Sequence, residues 1–335
     1  MSDLIIESAP LQDGAWPTVD PFLFCAYHRD DYPRGNGALG PAEPLTGRDL
    51  GMDFSRKDGW SMYHGKTIPG FPQHPHRGFE TVTIARRGLV DHADSLGATA
   101  RYGNGDVQWL TAGSGIVHSE MFPLLESGAP NPLDLFQIWL NLPAADKMVD
   151  PYFSMQWATT MPVIDSGGVL VTVVAGPFGD LVPPPPPPSS WASRPDTDIA
   201  IWTIQLGSQA ECDLPAANTG KIVRTLYVVE GTVAIGGTMM RAPMAASIKP
   251  NEPVTIHNVG GTNADVLVLQ GKPISEPVMH YGPFVMNDRA GIEQAFQDYQ
   301  RTGFGGWRWK SDDPVNGLSP QRFARRPDGR IEQAP

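Results

Sequence analysis

The sequence predicts an all-β protein, two β-barrels in tandem with a short C-terminal helix. Three observations carry that prediction. Short runs rich in Val, Ile, Thr and aromatic residues recur at spacings of about 8–12 residues, the pattern of sandwiches and barrels. The breaks between them are turn-formers, and the 335 residues include 36 Gly and 34 Pro. Helical periodicity is convincing at one place only. The length exceeds the roughly 100–200 residues of one domain, so two are expected.

Residues 1–60 are turn-rich, with a first strand over 21–28 and a Gly/Pro-rich loop up to Pro44. From 78 to 142 the pattern is strand, turn, strand: 78–85, 89–94, 98–102, 107–110 and 135–140, with turns at Arg87-Gly88 and Gly103-Asn104-Gly105-Asp106. A second series follows at 169–175, 199–206, 223–229, 232–235, 245–248, 254–258 and 264–270. The expected division is therefore an N-terminal domain over 1–150, a second over 151–305, and a tail over 306–335. The run Pro183–Pro188 lies between two strands of the second series, so it reads as a stiff, exposed loop (176–196) inside that domain. Asp288 can cap a helix whose stripe is Ile292, Ala295, Phe296 and Tyr299, and Gly303 can end it.

Net charge is −11. Nucleic-acid affinity comes mainly from Lys and Arg neutralising phosphates, so direct nucleic-acid binding is not expected. Arg322, Arg325, Arg326 and Arg330 gather near the C-terminus, where Pro327 and Gly329 suggest a solvated tail. Two distant cysteines, Cys25 and Cys212, do not make a disulfide framework. No basic segment followed by an apolar stretch opens the chain, and no run reaches the roughly 18 apolar residues of a membrane span. The expectation is a soluble, cytoplasmic protein with no membrane contact.

Eight histidines occur, and their placement is informative. His74-Pro75-His76 sets two imidazoles at i and i+2, on one face of an extended strand. His118-Ser119-Glu120 sets a nitrogen and a carboxylate ligand the same way. If the two segments are adjacent strands, all four groups can meet one metal at the about 2.0–2.1 Å of a metal–imidazole bond. Imidazole with carboxylate suits Fe, Mn, Co, Ni, Cu or Zn, and Fe(II) with open positions suits oxygen chemistry best. A single such histidine would be read as a core or surface residue; two paired motifs are hard to explain by packing. His64 and His92 lack a paired partner, and His92 reads as a residue behind the ligands or at the rim. His257 and His280 stand alone in the second domain, which is expected to lack metal.

The residues Gly70-x3-His74-x-His76-x3-Glu80-x7-Gly88 resemble the first cupin motif, and Gly105-Asp106-x5-Ala112-Gly113-x4-His118 the second, with Thr111 where cupins often carry Pro. More closely, His74-Pro-His-Arg-Gly-Phe-Glu-Thr-Val-Thr83, Gly115-Ile-Val-His-Ser-Glu-Met121 and Glu276-Pro-Val-Met-His-Tyr-Gly-Pro-Phe-Val-Met-Asn287 resemble the pirin family. The resemblance spans most of residues 20–305. It implies a bicupin with metal, typically iron, in the N-terminal barrel alone. The ligands would match His74, His76, His118 and Glu120, and Glu80 would not ligate although it sits at the cupin glutamate position. Arg77 and Glu80 could orient the ligands; on an alternating strand Arg77 points away from them, so a structural role is expected for it and for Met121. The loop 176–196 and the tail after 305 depart from the family pattern.

Two functions follow from the resemblance. Some pirins are quercetin 2,3-dioxygenases that open the flavonol ring with O2, and here Glu120 would take the proton of the flavonol hydroxyl. Others are non-enzymatic, metal- or redox-dependent regulators that bind a transcription factor or a metabolic enzyme.

Overall fold

A computed structural model describes residues 4–12, 14–218 and 220–335. It is built of short strands, with one α-helix among the described residues, Arg289–Thr302. Every segment expected to be extended forms a strand or part of one. Local patterning did not mark the strands Ile5–Pro10 and Tyr152–Gln156.

The chain forms two compact units. One comprises Ala26–Thr159 and Glu276–Pro335, the other Met1–Cys25 and Thr160–Ser275. Residues 276–335 pack with the first of these units. The second unit takes the N-terminal segment, because Ile5–Pro10 pairs antiparallel with Met244–Ile248. Both exchanges are non-local strand pairings or dockings, which a linear reading of turns and periodicity does not reveal.

The unit carrying the histidine pairs closes two sheets on each other. One runs in the order Tyr152–Gln156, Asp106–Thr111, Phe79–Arg87, Leu133–Asn141 and Phe22–Asp30. The other runs Ile331–Gln333, Phe323–Arg325, Thr99–Gly103, Leu89–Asp94, Ile116–Met121 and Gly70–His76. Turns fall at Gly88 and at Asn104-Gly105, all with positive φ, where glycine carries no Cβ penalty.

The basic C-terminal segment is not the solvated tail expected. Phe323–Arg325 pairs in register with Thr99–Arg101. Arg322 donates to Asp106 at 2.6 Å, and the buried Arg101 donates to Asp91 at 2.6 Å and to the Ser319 carbonyl. Asp91 and Asp106 are fully buried carboxylates, and a buried charge persists only when paired and hydrogen-bonded. Cations of the barrel and of the C-terminal segment meet that need. Residues 317–321, Arg325 and the far end, with the exposed Arg330–Asp328 pair, face solvent.

The helix ends are as expected. The Asp288 side chain accepts from Gly291 N at 2.8 Å, and Gly303 closes the helix with φ 54°. The helix buries Ile292 and Ala295 against Val117, Phe284 and Phe304.

The second unit has a seven-stranded sheet from Ile5–Pro10 to Val163–Ser166 and a four-stranded sheet that includes Thr232–Ile235 and Val254–Asn258. Its core is apolar: Val171, Trp202, Ile204, Leu226, Val228, Val266 and Val268 are among its members. The proline run lies inside this unit, as expected, but is less exposed than expected. Pro187 is buried and only Pro185 and Pro188 are fully open. Buried Trp191 just beyond it donates to the Lys272 carbonyl at 2.9 Å and pins the loop down. Cys25 and Cys212 are buried free thiols.

Candidate metal centre

Gly70–His76 and Ile116–Met121 are antiparallel neighbours, and His74 faces His118 directly across the ladder. A register shift between Phe71 and His74 bulges the first strand. Bulges re-aim side chains, and here all three imidazoles converge. His74, His76 and His118 offer nitrogens that lie within 4.8 Å of one another. Their ring centroids are 4.4, 4.8 and 4.9 Å apart.

Each imidazole is prepared to bind in its neutral form. Burial lowers the His74 pKa to about 4 and pushes His76 and His118 well below the ordinary range, with the neighbouring histidines acting in the same direction. The His74 Nδ1 lies 2.8 Å from the Pro72 carbonyl and the His76 Nδ1 3.4 Å from that of Pro283. Donation from Nδ1 to a carbonyl fixes the tautomer that leaves Nε2 free for a metal. His118 is fully buried, and neither of its ring nitrogens has a hydrogen-bond partner. Buried polar atoms are normally paired, so this orphaned ring, beside two others with free Nε2 atoms, is the observation that fits a bound cation. The donor set is nitrogen-rich and thiolate-free, which suits a transition metal.

Glu120 lies beside this triad. Its Oε2 is 3.9 Å from His118 Nε2 and accepts from Gln137 Nε2 at 2.7 Å; its Oε1 accepts from Thr83 at 3.3 Å. Gln137 and Thr83 face each other across the opposite sheet, so Glu120 bridges the barrel interior. Burial pushes its carboxyl up, while His92, Gln137 and Thr83 pull it down.

Glu80 lies apart from the triad, fully buried, and accepts from Thr111 at 2.7 Å. His92 is buried behind the site and not at its rim: Nε2 meets Asp94 at 3.1 Å, Nδ1 meets Gln108 at 3.1 Å, and its ring is 5.5 Å from His118. Arg77 turns away from the triad and donates to the Ser114 carbonyl at 2.7 Å and to Asp298 at 2.9 Å. Met121 is core. His280, expected in the second domain, lies on the hairpin of Met279–Tyr281 and Phe284–Met286 in the unit that holds the triad, its ring 5.6 Å from Trp139. Trp139 in turn packs 5.1 Å from His76. Gln137, Thr83 and Gln108 were not singled out from the sequence, although polar residues at inward strand positions were there to be read.

Comparison with known proteins matches residues 12–140 to the pirin family and residues 201–305 to the pirin C-terminal cupin domain. A Pseudomonas aeruginosa protein whose name proposes quercetin 2,3-dioxygenase activity is 38% identical over 240 residues, 70% of this chain and 79% of that one. The chain belongs to the pirin family. Human pirin is 32% identical over 257 residues, 74% of this chain and 83% of that one. Among solved structures, a quercetin 2,3-dioxygenase from Acinetobacter baumannii superposes with a TM-score of 0.67 at 26% identity, covering 90% of this pirin and 96% of that chain. The fold is thus a cupin-type, two-barrel pirin with a histidine triad that suggests a bound metal. No helix among the described residues is long and apolar enough to cross a membrane.

Proposed function

We propose that this pirin is a metal-dependent dioxygenase that opens flavonols such as quercetin with O2. In this reading His74, His76, His118 and Glu120 hold one divalent transition metal, Fe(II) first, with Mn, Co, Ni, Cu or Zn able to replace it. The observation that carries the reading is the buried, neutral imidazole triad with an orphaned His118. The family names and the fold neighbour support the choice of reaction.

When bound, the metal supplies Lewis acidity toward the substrate hydroxyl and a redox-capable centre for O2. The residues supply the rest. Three neutral imidazoles bind without losing protons, so metal uptake is not opposed by proton release. Glu120 takes the proton of the flavonol 3-hydroxyl at a carboxylate oxygen. Gln137 and Thr83 keep the carboxylate aimed into the barrel.

The test is metal analysis of chelator-free protein, wild type and Glu120→Ala, followed by O2 uptake with quercetin. Stoichiometric metal in the wild type, reduced in the variant, with flavonol-dependent O2 uptake, supports the reading. Forms reconstituted with iron, manganese, cobalt, nickel and copper that all fail to consume O2 overturn it. The regulatory alternative differs in one outcome: a protein partner captured by the wild type and lost with His118→Ala.

A further inference from the structure

The metal-bearing unit opens above His74 into a recess of about 660 Å³, well inside the range of small-molecule pockets, roughly 300–1,000 Å³. His74 is the least buried member of the triad and lines this recess. Phe71, His64 and Lys66 line it beside His74, and Asp312 and Asp313 complete it. The exposed Phe54 ring, 6.5 Å from Phe71, continues the aromatic surface outward.

Asp312 and Asp313 belong to the C-terminal segment, which lies beyond residue 305, where both family matches have ended. That segment is built into the barrel. Gln73, one residue before His74, donates its backbone N–H to the Asp312 carbonyl at 2.7 Å and its Nε2 to the Asp312 carboxylate at 2.6 Å. Trp309 Nε1 donates to the Asp94 carbonyl at 3.0 Å. Asn316 accepts from Thr99 and donates to Asp91 at 2.8 Å and to the Ala100 carbonyl at 2.9 Å. The wall is therefore fixed both to the strand that carries His74 and to the strand behind His118.

We infer that this recess is the ligand's route to the histidine triad, and that Asp312 and Asp313 select uncharged, hydroxyl-bearing aromatic ligands over carboxylate-bearing ones. The inference rests on the reading above, in which the triad holds the reacting metal. An ionised carboxylate can only accept hydrogen bonds. It binds a phenolic hydroxyl through a charge-assisted bond and repels a ligand carboxylate. Two such groups share the recess with the exposed Lys66, and Phe71 supplies a ring edge or face for an aromatic ligand to pack on. A segment outside the shared family core would thus set selectivity while the core sets the metal.

The variant is Asp312→Asn/Asp313→Asn, which keeps an oxygen for Gln73, and the probes are quercetin and its pentamethyl ether, read by tryptophan quenching on metal-loaded protein. The expected result is a roughly tenfold loss of quercetin affinity with the ether unchanged, the size of one charge-assisted bond. Equal losses for both probes, or none, overturn the inference. A second arm follows metal stripping. Tetraanionic or trianionic EDTA should strip the variant several-fold faster than the wild type, while neutral 1,10-phenanthroline strips both alike; unchanged EDTA rates overturn the recess as the route. If the double variant fails to fold, Asp313→Asn alone, away from the Gln73 contact, reads the same two arms. Should the wild type bind metal but no quercetin, the dioxygenase reading falls and the stripping arm still decides the recess. A wild type without metal overturns both.

Discussion

The two barrels use one architecture and fill it in opposite ways. In the second, the inward positions are Trp202, Ile204, Leu226, Val228, Val266 and Val268, each at most 1% exposed. In the first, the inward positions include Glu80, Thr83, His92, Gln108, His118 and Glu120, each at most 2% exposed. A polar interior is tolerable only when each group finds a partner. Most do: Glu80 has Thr111, His92 has Asp94 and Gln108, Glu120 has Gln137 and Thr83. The second unit also buries Arg224, which donates to Gln270 and to the Pro215 carbonyl at 2.7 Å each. His118 has both nitrogens unpartnered and stands in a three-histidine cluster, and that combination locates the site. The fold fixes where strands lie; function rests on which few inward positions stay polar.

That contrast can be broken experimentally. The largest effect should come from cutting into the apolar barrel. Leu226→Ala should cost about 2–5 kcal/mol, the usual range for a buried leucine, with metal stoichiometry unchanged. Chemical denaturation and metal analysis on the same sample check this, and metal lost in proportion to stability would end the separation of roles. His118→Leu should behave differently. In metal-free protein it replaces an unpartnered buried ring by an apolar one, so stability should hold or rise. The stabilisation by added metal, about 2.7 kcal/mol at a hundredfold excess over Kd, should vanish. Thermal melts with and without metal read both halves; a metal-induced shift that survives the substitution would remove His118 from the site.

How much of this the sequence carried differs between the same regions. The i, i+2 histidine pair was readable because strand alternation is a local property, and so were Asp288 and Gly303 at the helix ends. The convergence of three imidazoles also needed the bulge between Phe71 and His74, which no local pattern announces. The compact units depart from a linear division of the chain for a related reason. Ile5–Pro10 and Phe323–Arg325 are strands by virtue of what they pair with, Met244–Ile248 and Thr99–Arg101. The second of these is three residues long in a polar, Pro- and Gly-bearing stretch, so in isolation it reads as a tail. Only the buried carboxylates of Asp91 and Asp106 explain why its arginines are needed, and burial is not visible in sequence.

The smallest effect concerns the seam that joins the C-terminal helix to the barrel of the histidine triad. Arg77 is 4% exposed and lies over the Phe304 ring at 4.6 Å. Its guanidinium donates to Asp298 on the helix at 2.9 Å. Donation by Arg301, then Arg77 and Gln294, lowers the Asp298 pKa to about 2 from an ordinary 3.8. A lowered carboxylate pKa means that the native state holds the proton less tightly than the unfolded chain. The stabilisation is therefore complete above pH 3.8 and lost as pH falls through about 2. Asp298→Asn should cost about 1–3 kcal/mol near neutrality, because it leaves the buried Arg77 without its counter-charge. The difference from wild type should stay constant down to about pH 4 and shrink toward pH 2, followed by hydrogen exchange of the helix amides. A difference that does not change with pH would mean that the pair acts through shape alone, and that the helix is held by Ile292, Ala295 and the Phe284–Phe304 cluster.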